Sequence, residues 1–130
     1  MIKIRPRPID LKKLIDSIND KAATARLRYI TSIPGQEMIY LAKQAEALAF
    51  IQDTTRDITK YPLLQAEIGV TSDDALALAQ LWLDMSSAWV SKAAAIEAIR
   101  LRAIKTISSL TAMDDIDIVL AQITSELNEL

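Results

Sequence analysis

Residues 71–110 constrain this sequence more than any other segment, because no Gly or Pro interrupts them. Ala, Leu, Ile, Lys and Arg dominate the segment, so local propensity favours a continuous helix. Thr71 is followed three positions later by Asp74, a pattern typical of a capped helix start. The sequence therefore predicts one long helix over about 71–110. At ~1.5 Å per residue this helix would be about 60 Å long, which exceeds the diameter of an ordinary compact domain of this chain length.

The predicted long helix is apolar on two sides, and each side needs a covering surface. We expect a helix that is central in its own bundle or shared between chains. Trp82, Met85 and Trp89 lie on one side and are candidate interface residues, and both Trp side chains are expected to be largely buried, in the core or between chains. The first stripe contains Leu78, Trp82, Met85, Trp89, Ala93, Ile96, Ala103, Ile107 and Leu110, and the second contains Leu76, Leu83, Val90, Ala94, Leu101 and Ile104.

Composition indicates the fold class. Apolar residues make up 51% of the chain but aromatic residues only 5%, which favours closely packed helices over a sandwich or barrel. Two Gly and four Pro are too few for many short strands and tight turns. The prediction is an all-α fold, an elongated helical bundle built on the long helix, with a single helical domain over residues 9–130.

The apolar spacing predicts four helices and a one-turn segment, with the first two helices packed back against the long one. Asp10 is placed to cap the first helix, and Lys43 and Glu46 are spaced to pair within the second. In the second helix Met38, Leu41, Ala45 and Leu48 share one stripe. The shorter elements are predicted at Ile9 to about Tyr29, Gly35 to about Asp53, Pro62–Gly69, and a terminal helix after a second cap pattern at Thr111 and Asp114.

The first eight residues, MIKIRPRP, predict an extended arm. Pro6 and Pro8 exclude a regular helix there and favour extended geometry in the residues before them. Ile2 and Ile4 alternate with basic residues, as in a short edge strand. Two interpretations stay open: a loose, solvated arm, or an arm that docks on a neighbouring chain through Ile2 and Ile4.

The residue types argue against catalysis. The chain has no Cys and no His, which removes thiolate chemistry, the usual general base and the commonest transition-metal ligand. Asp114, Asp115 and Asp117 lack the glycine turn and the distal Glu of a calcium loop, and helix-start electrostatics accounts for them. We predict a protein that is not an enzyme, with no catalytic residue, no cofactor, no metal and no small-molecule substrate.

Charge and hydropathy limit the other partner classes. Met1–Ile30 carries eight Lys or Arg against three Asp or Glu, but the acidic residues are interleaved, as on a solvated helix face. Nucleic acid is therefore an unlikely partner on this pattern. Asp84, Lys92 and Glu97 interrupt the most apolar part of the long helix, so no membrane span is predicted. No apolar signal segment is visible at the N-terminus, so we expect synthesis in the cytoplasm.

One string of residues resembles a known class of protein. Arg28-Tyr29-Ile30-Thr31, then Pro34-Gly35-Gln36-Glu37-Met38, Tyr40, Lys43 and Glu46-Ala47 are similar to a "RYIT…GQ…Y..K..EA" segment of bacteriophage and prophage tail proteins. That segment typically continues with "YPLLxAEVGIT" and an Ala-rich helix, to which Tyr61–Thr71, Trp89 and Ala94–Lys105 are similar. The resemblance spans about Arg26 to Lys105.

The resemblance implies a role in assembly rather than catalysis. It implies a structural or interaction component of a phage tail, as a tail fibre, a fibre adaptor or a baseplate-associated protein, located in the virion. Its partners would be other tail proteins, and the two apolar stripes add the expectation of a homo-oligomer. Two alternatives stay open: a tail-fibre assembly chaperone, and a small helical regulatory or nucleic-acid-binding protein.

Overall fold

The computed structural model describes residues 10–130, and this part of the chain is all-α. Its residues contain five α-helices, a short 3₁₀ helix and no strand. The helices are α1 (Leu11–Arg26), α2 (Gln36–Gln52), α3 (Pro62–Glu67), α4 (Ala75–Ser109) and α5 (Met113–Asn128), and the 3₁₀ helix is Ile58–Lys60. The predicted all-α class and the long helix are confirmed, whereas the predicted arm over residues 1–8, with Ile2 and Ile4, lies outside the described residues.

The described chain forms two compact units, and α4 contributes residues to both. One unit contains the residues up to Ile30 together with Lys92–Leu130, and the other contains Thr31–Ser91. The prediction of one helical domain over residues 9–130 stays a prediction. We call these the outer-segment unit and the central-segment unit, after their positions in the sequence.

The outer-segment unit packs α1 and α5 with the second half of α4. Asp10 caps α1 as predicted, because its carboxylate accepts the main-chain N–H of Lys13. At the other end of the same segment, Arg28 donates to the carbonyl of Leu127 and the Tyr29 hydroxyl donates to the carbonyl of Leu130. The buried core consists of Ile18, Ala22, Ala25, Ile96, Ile99, Ala103, Ile107, Ile123 and Leu127.

A polar network borders this core. Glu97 accepts from Arg26 at 2.8 Å and from two guanidinium nitrogens of Arg100, at 2.6 and 2.9 Å. Arg100 also donates to the Asn19 side chain at 3.0 Å. The hydrogen bonds from Arg100 hold the pKa of Glu97 below its usual value, so the carboxylate is charged near neutral pH.

The central-segment unit packs α2, α3 and the first half of α4. Pro62 occupies the first turn of α3, and Gly69, with φ of 85°, follows its end, as the sequence predicts. The Phe50 and Tyr61 rings meet edge to face, with centroids 5.3 Å apart. The buried core consists of Ala47, Phe50, Tyr61, Leu64, Leu78, Ala79 and Trp82.

The start of α4 differs from the prediction, and the reason is local. Thr71 does not cap the helix, because its hydroxyl donates to the Glu67 carboxylate at 2.8 Å and its N–H bonds to the Glu67 carbonyl. Gly69 donates to the carbonyl of Ser72, which closes a tight turn before the helix. Asp74 takes the cap position instead: its carboxylate accepts the N–H of Leu76, and its carbonyl accepts the N–H of Leu78.

The start of α5 also differs from the prediction. The helix begins at Met113 after Ala112, and no side chain caps it. Thr111 therefore does not have the predicted capping role. Asp114 and Asp115 lie in the first turn, where their negative charge interacts favourably with the positive end of the helix dipole.

Candidate functional site: an apolar helix face

Helix α2 directs charged side chains toward its own fold. The Lys43 ammonium lies 2.5 Å from a Glu67 carboxylate oxygen in α3 and 4.8 Å from the centre of the Trp82 ring. Burial raises the pKa of Glu67, but the hydrogen bonds from Lys43 and Thr71, with the Lys43 charge, outweigh it and leave the pKa lowered. The predicted pair between Lys43 and Glu46 is not formed, because each side chain contacts α3 instead.

Glu46 caps the N-terminus of α3 from a distance of seventeen residues in sequence. Its two carboxylate oxygens each lie 3.0 Å from the N–H of Leu63, and one accepts from Leu64 at 3.4 Å. The first N–H groups of a helix have no partner within the helix, so a carboxylate placed there satisfies them and complements the dipole. Sequence reasoning missed this role, because nothing local to Pro62 identifies a cap that comes from another helix.

The segment between α2 and α3 is fixed by a second carboxylate. Asp53 accepts from the Tyr61 hydroxyl at 2.8 Å and from the N–H and hydroxyl of Thr55, both at 2.9 Å. The bond from Tyr61, followed by those from Thr55, lowers the pKa of Asp53 to about 2. The same bond raises the pKa of Tyr61.

The opposite side of α2 is apolar and exposed. Met38 is 75% exposed, Leu41 68% and Leu48 49%, and Ala45 between them is also exposed. At about 100° per residue these four side chains lie within an arc of about 80°, directly opposite Lys43. We call Met38, Leu41, Ala45 and Leu48 the α2 outward face. The predicted stripe therefore exists, but it is not the surface through which α2 packs on its own chain.

The candidate interface residues on α4 differ in exposure. Trp82 is 6% exposed and belongs to the core of the central-segment unit, so it offers a partner little surface. Met85 is 60% exposed, and Trp89 is partly exposed. Of the predicted interface residues within the described chain, Met85 is the most exposed, and Met38 and Leu41 of the α2 outward face are more exposed than Met85.

Other features of the described residues have less to offer a ligand. An open groove of about 490 Å³ between α1 and α5 is lined by Ser17, Asp20, Lys21, Thr24, Ala25, Arg28, Thr124, Leu127 and Asn128. No cluster of three or more metal-ligating side chains is present in residues 10–130. None of the helices described is both long and apolar enough to span a membrane.

The comparisons with known proteins identify no relative. No protein-family model matches the sequence, and no curated protein or solved structure shows significant similarity to it.

Several residues of the motif quoted in the sequence analysis have structural roles at the contact between α2 and α3. Lys43, Glu46 and Glu67 join α2 to α3, and Tyr61 anchors the segment between them. Gly35, with φ of 84°, occupies the left-handed conformation that precedes α2. These motif residues therefore hold α2, α3 and the segment between them together.

Proposed function

We propose that this protein is a structural or interaction component of a bacteriophage tail: a tail fibre, a fibre adaptor or a baseplate-associated protein. It is made in the host cytoplasm and incorporated into the virion. It acts by helix packing, as an elongated bundle on α4, with other tail proteins and with further copies of itself as partners. No chemical step is required of it.

The observation that carries this proposal is the exposed α2 outward face. Soluble monomers rarely leave large contiguous apolar patches in contact with water, and such patches mark interaction sites. Full burial of one Leu or Met side chain is worth ~1.5–3 kcal/mol, so covering three such residues that are half to three-quarters exposed favours association. The resemblance to tail proteins supplies the class of assembly, and the packing roles of Lys43, Glu46 and Glu67 are consistent with a structural module.

Purified particles test the proposal. A strain carrying the gene is induced, particles are separated by density gradient, and the chain is quantified by mass spectrometry against the major tail proteins. We expect a fixed number of copies per particle, co-purifying with tails and absent from separated heads. A chain that is absent from tails as well as heads would refute the proposal.

A tail-fibre assembly chaperone is the second candidate, since the same apolar face would suit transient cover of an unassembled fibre. The two functions differ in one result. A chaperone is needed for tails to form but is missing from finished particles, whereas a structural component is retained. Deletion of the gene, with tail morphology scored by electron microscopy beside particle composition, separates them.

A further inference from the structure

The connection between α4 and α5 contains no helix breaker. Helix α4 ends at Ser109 and α5 begins at Met113, so only residues 110–112 reverse the direction of the chain. No Gly or Pro occurs after Gly69, and no residue type in the connection therefore requires a turn. Ala112 is extended, with φ of −100° and ψ of 129°, and no side chain caps the N-terminus of α5. The packing of α5 against the other helices therefore holds the bend.

A continuous helix would satisfy main-chain groups that the bend separates. At the start of α5 the Ile116 N–H bonds to the Ala112 carbonyl, so the N–H groups of residues 113–115 have no partner within α5. In a helix without the bend, these groups would bond to the carbonyls of residues 109–111, four positions earlier. The two Asp side chains in the first turn of α5 oppose this change, because their charge favours a free helix N-terminus.

The contacts that hold α5 involve residues that every copy of the chain carries. The Lys92 ammonium lies 5.7 Å from the centre of the Tyr29 ring, and the Tyr29 hydroxyl donates to the carbonyl of Leu130. Helix α5 therefore runs back along the second half of α4 in the opposite direction, and Arg28 holds its end through the carbonyl of Leu127. The same contacts can form with α5 of another copy, because the sequences are identical.

We propose that α4 and α5 straighten into one helix and that two copies of the chain exchange α5. Each α5 then lies on α1 and the second half of α4 of the other copy. The two continuous helices, over residues 75–128 and about 80 Å long, pass each other in opposite directions with both hinges at the two-fold axis. The buried Ile123 and Leu127 keep the same neighbours, supplied by the other copy. The proposal rests on the assembly role given above and names the element that joins two copies.

Refolding of the full chain from urea at high and at low concentration tests the exchange. Since α5 must leave its core before it can pack on another copy, the concentration during refolding sets the proportion of the two forms. We expect a dimer by light scattering after refolding at millimolar concentration and a monomer after refolding at micromolar concentration, with equal helix content by circular dichroism. A chain that is entirely monomeric after refolding at millimolar concentration would overturn the proposal.

A proline at the start of α5 separates the straight hinge from any other dimer contact. Met113→Pro is compatible with the bend, because Ala112 already has the extended geometry that a following Pro favours, and Pro is well tolerated at the first position of a helix. Within a continuous helix the same Pro removes a main-chain hydrogen bond and clashes with the preceding turn.

The penalty acts at both hinges of the dimer, so we expect Met113→Pro to weaken dimer formation roughly 10⁴-fold. Met113→Ala is the matched control and should dimerise as the wild type does. Both variants should fold as monomers at low concentration, with unchanged helix content. Equal dimer formation by Met113→Pro and Met113→Ala would refute the straight hinge.

Cross-linking identifies which copy supplies α5. Thr24 in α1 and Thr124 in α5 line the same groove, and the chain has no native Cys. Thr24→Cys and Thr124→Cys chains, one carrying a tag that changes its mobility, are refolded separately and as a mixture, and the dimers are treated with a short bifunctional thiol reagent. Position 124 lies about 20 Å from the hinge along α5, so like positions of the two copies are far apart in the exchanged dimer.

We expect a cross-link between the two chains only in dimers from the mixture. A chain that carries both substitutions is the positive control, because its monomer should be linked within itself. If that control is linked and the mixed dimer is not, α5 remains on its own copy and the exchange is refuted.

These results are independent of the particle experiment. A chain that exchanges α5 but is absent from tails leaves the exchange in place and removes the tail function. A chain that is present in tails but is monomeric after refolding at millimolar concentration leaves the function in place and removes the exchange.

Discussion

Removing the Glu46 carboxylate should destabilise the central-segment unit by about 2 kcal/mol. A hydrogen bond to a charged group contributes ~1.5–3 kcal/mol and a lost N-cap costs ~0.5–2 kcal/mol. The partly exposed Glu46 gives Leu63 and Leu64 both a charged hydrogen-bond acceptor and an N-cap. The two ranges of free energy overlap near 2 kcal/mol. Glu46→Ala removes the acceptor, whereas Glu46→Gln keeps a neutral oxygen and should lose about half as much.

Tryptophan fluorescence during urea unfolding is suited to this measurement, because both Trp residues lie in the central-segment unit. With a urea slope of about 1 kcal/mol per molar for so small a unit, Glu46→Ala should lower the unfolding midpoint by roughly 2 M. Glu37→Ala on the same helix is the control, since the exposed Glu37 only complements the helix dipole and should cost about 0.5 kcal/mol. Equal shifts for Glu46→Ala and Glu37→Ala would show that the cap seen in the structure contributes no stability.

Two further predictions concern the same unit. Because the folded-state pKa of Asp53, about 2, lies below its ordinary value of 3.8, its stabilising effect is present above that ordinary value and is lost as the pH falls toward 2. Tyr61→Phe should therefore destabilise the unit above about pH 5, with a difference from wild type that shrinks toward pH 2; a difference independent of pH in urea titrations would contradict this. Trp82→Ala should cost ~3–5 kcal/mol by circular dichroism, and Trp89→Ala clearly less because Trp89 is partly exposed, a ranking that equal losses would disprove.

Local signals account for the parts of the fold that the sequence predicted. Asp10 caps α1, and Pro62 and Gly69 bound α3, because each of these residues acts on main-chain groups within a few positions. The absence of Gly and Pro after Val70 favoured a long helix, and α4 extends over 35 residues. Helix type and approximate extent therefore followed from apolar spacing, local caps, helix breakers and propensity.

Tertiary contacts account for the parts that could not be predicted. Thr71 has the residue type of a helix cap, but its hydroxyl donates a hydrogen bond to the Glu67 carboxylate in the preceding helix instead. Lys43 and Glu46 have the spacing of a pair within one helix, but α3 offers a carboxylate to one and main-chain N–H groups to the other. A choice among such partners depends on which helices lie together, and spacing along one helix does not contain that information.

The candidate site shows the same limit. Helix α2 is apolar on both sides, so periodicity identifies the stripe of Met38 and Leu41 without indicating whether it faces the core. The inward side of α2 contains the buried Ala47 and Phe50 together with the charged Lys43 and Glu46. Because two of these four positions are charged, apolar periodicity does not identify this side. The Trp82 and Trp89 side chains share a stripe, but Trp82 belongs to the core of the central-segment unit and Trp89 is partly exposed.

The division of the chain between its two units has a consequence for synthesis on the ribosome. The central-segment unit is contiguous, so all of it has been translated once Ser91 has been added. Helix α1 is made before α2–α5, but it finds its partners Ile96, Ile107 and Ile123 only after α4 and α5 have been translated. Ile18, Ala22 and Ala25 of the nascent chain therefore remain uncovered while α2, α3 and the first half of α4 are being added, and α1 packs after the central-segment unit has been translated.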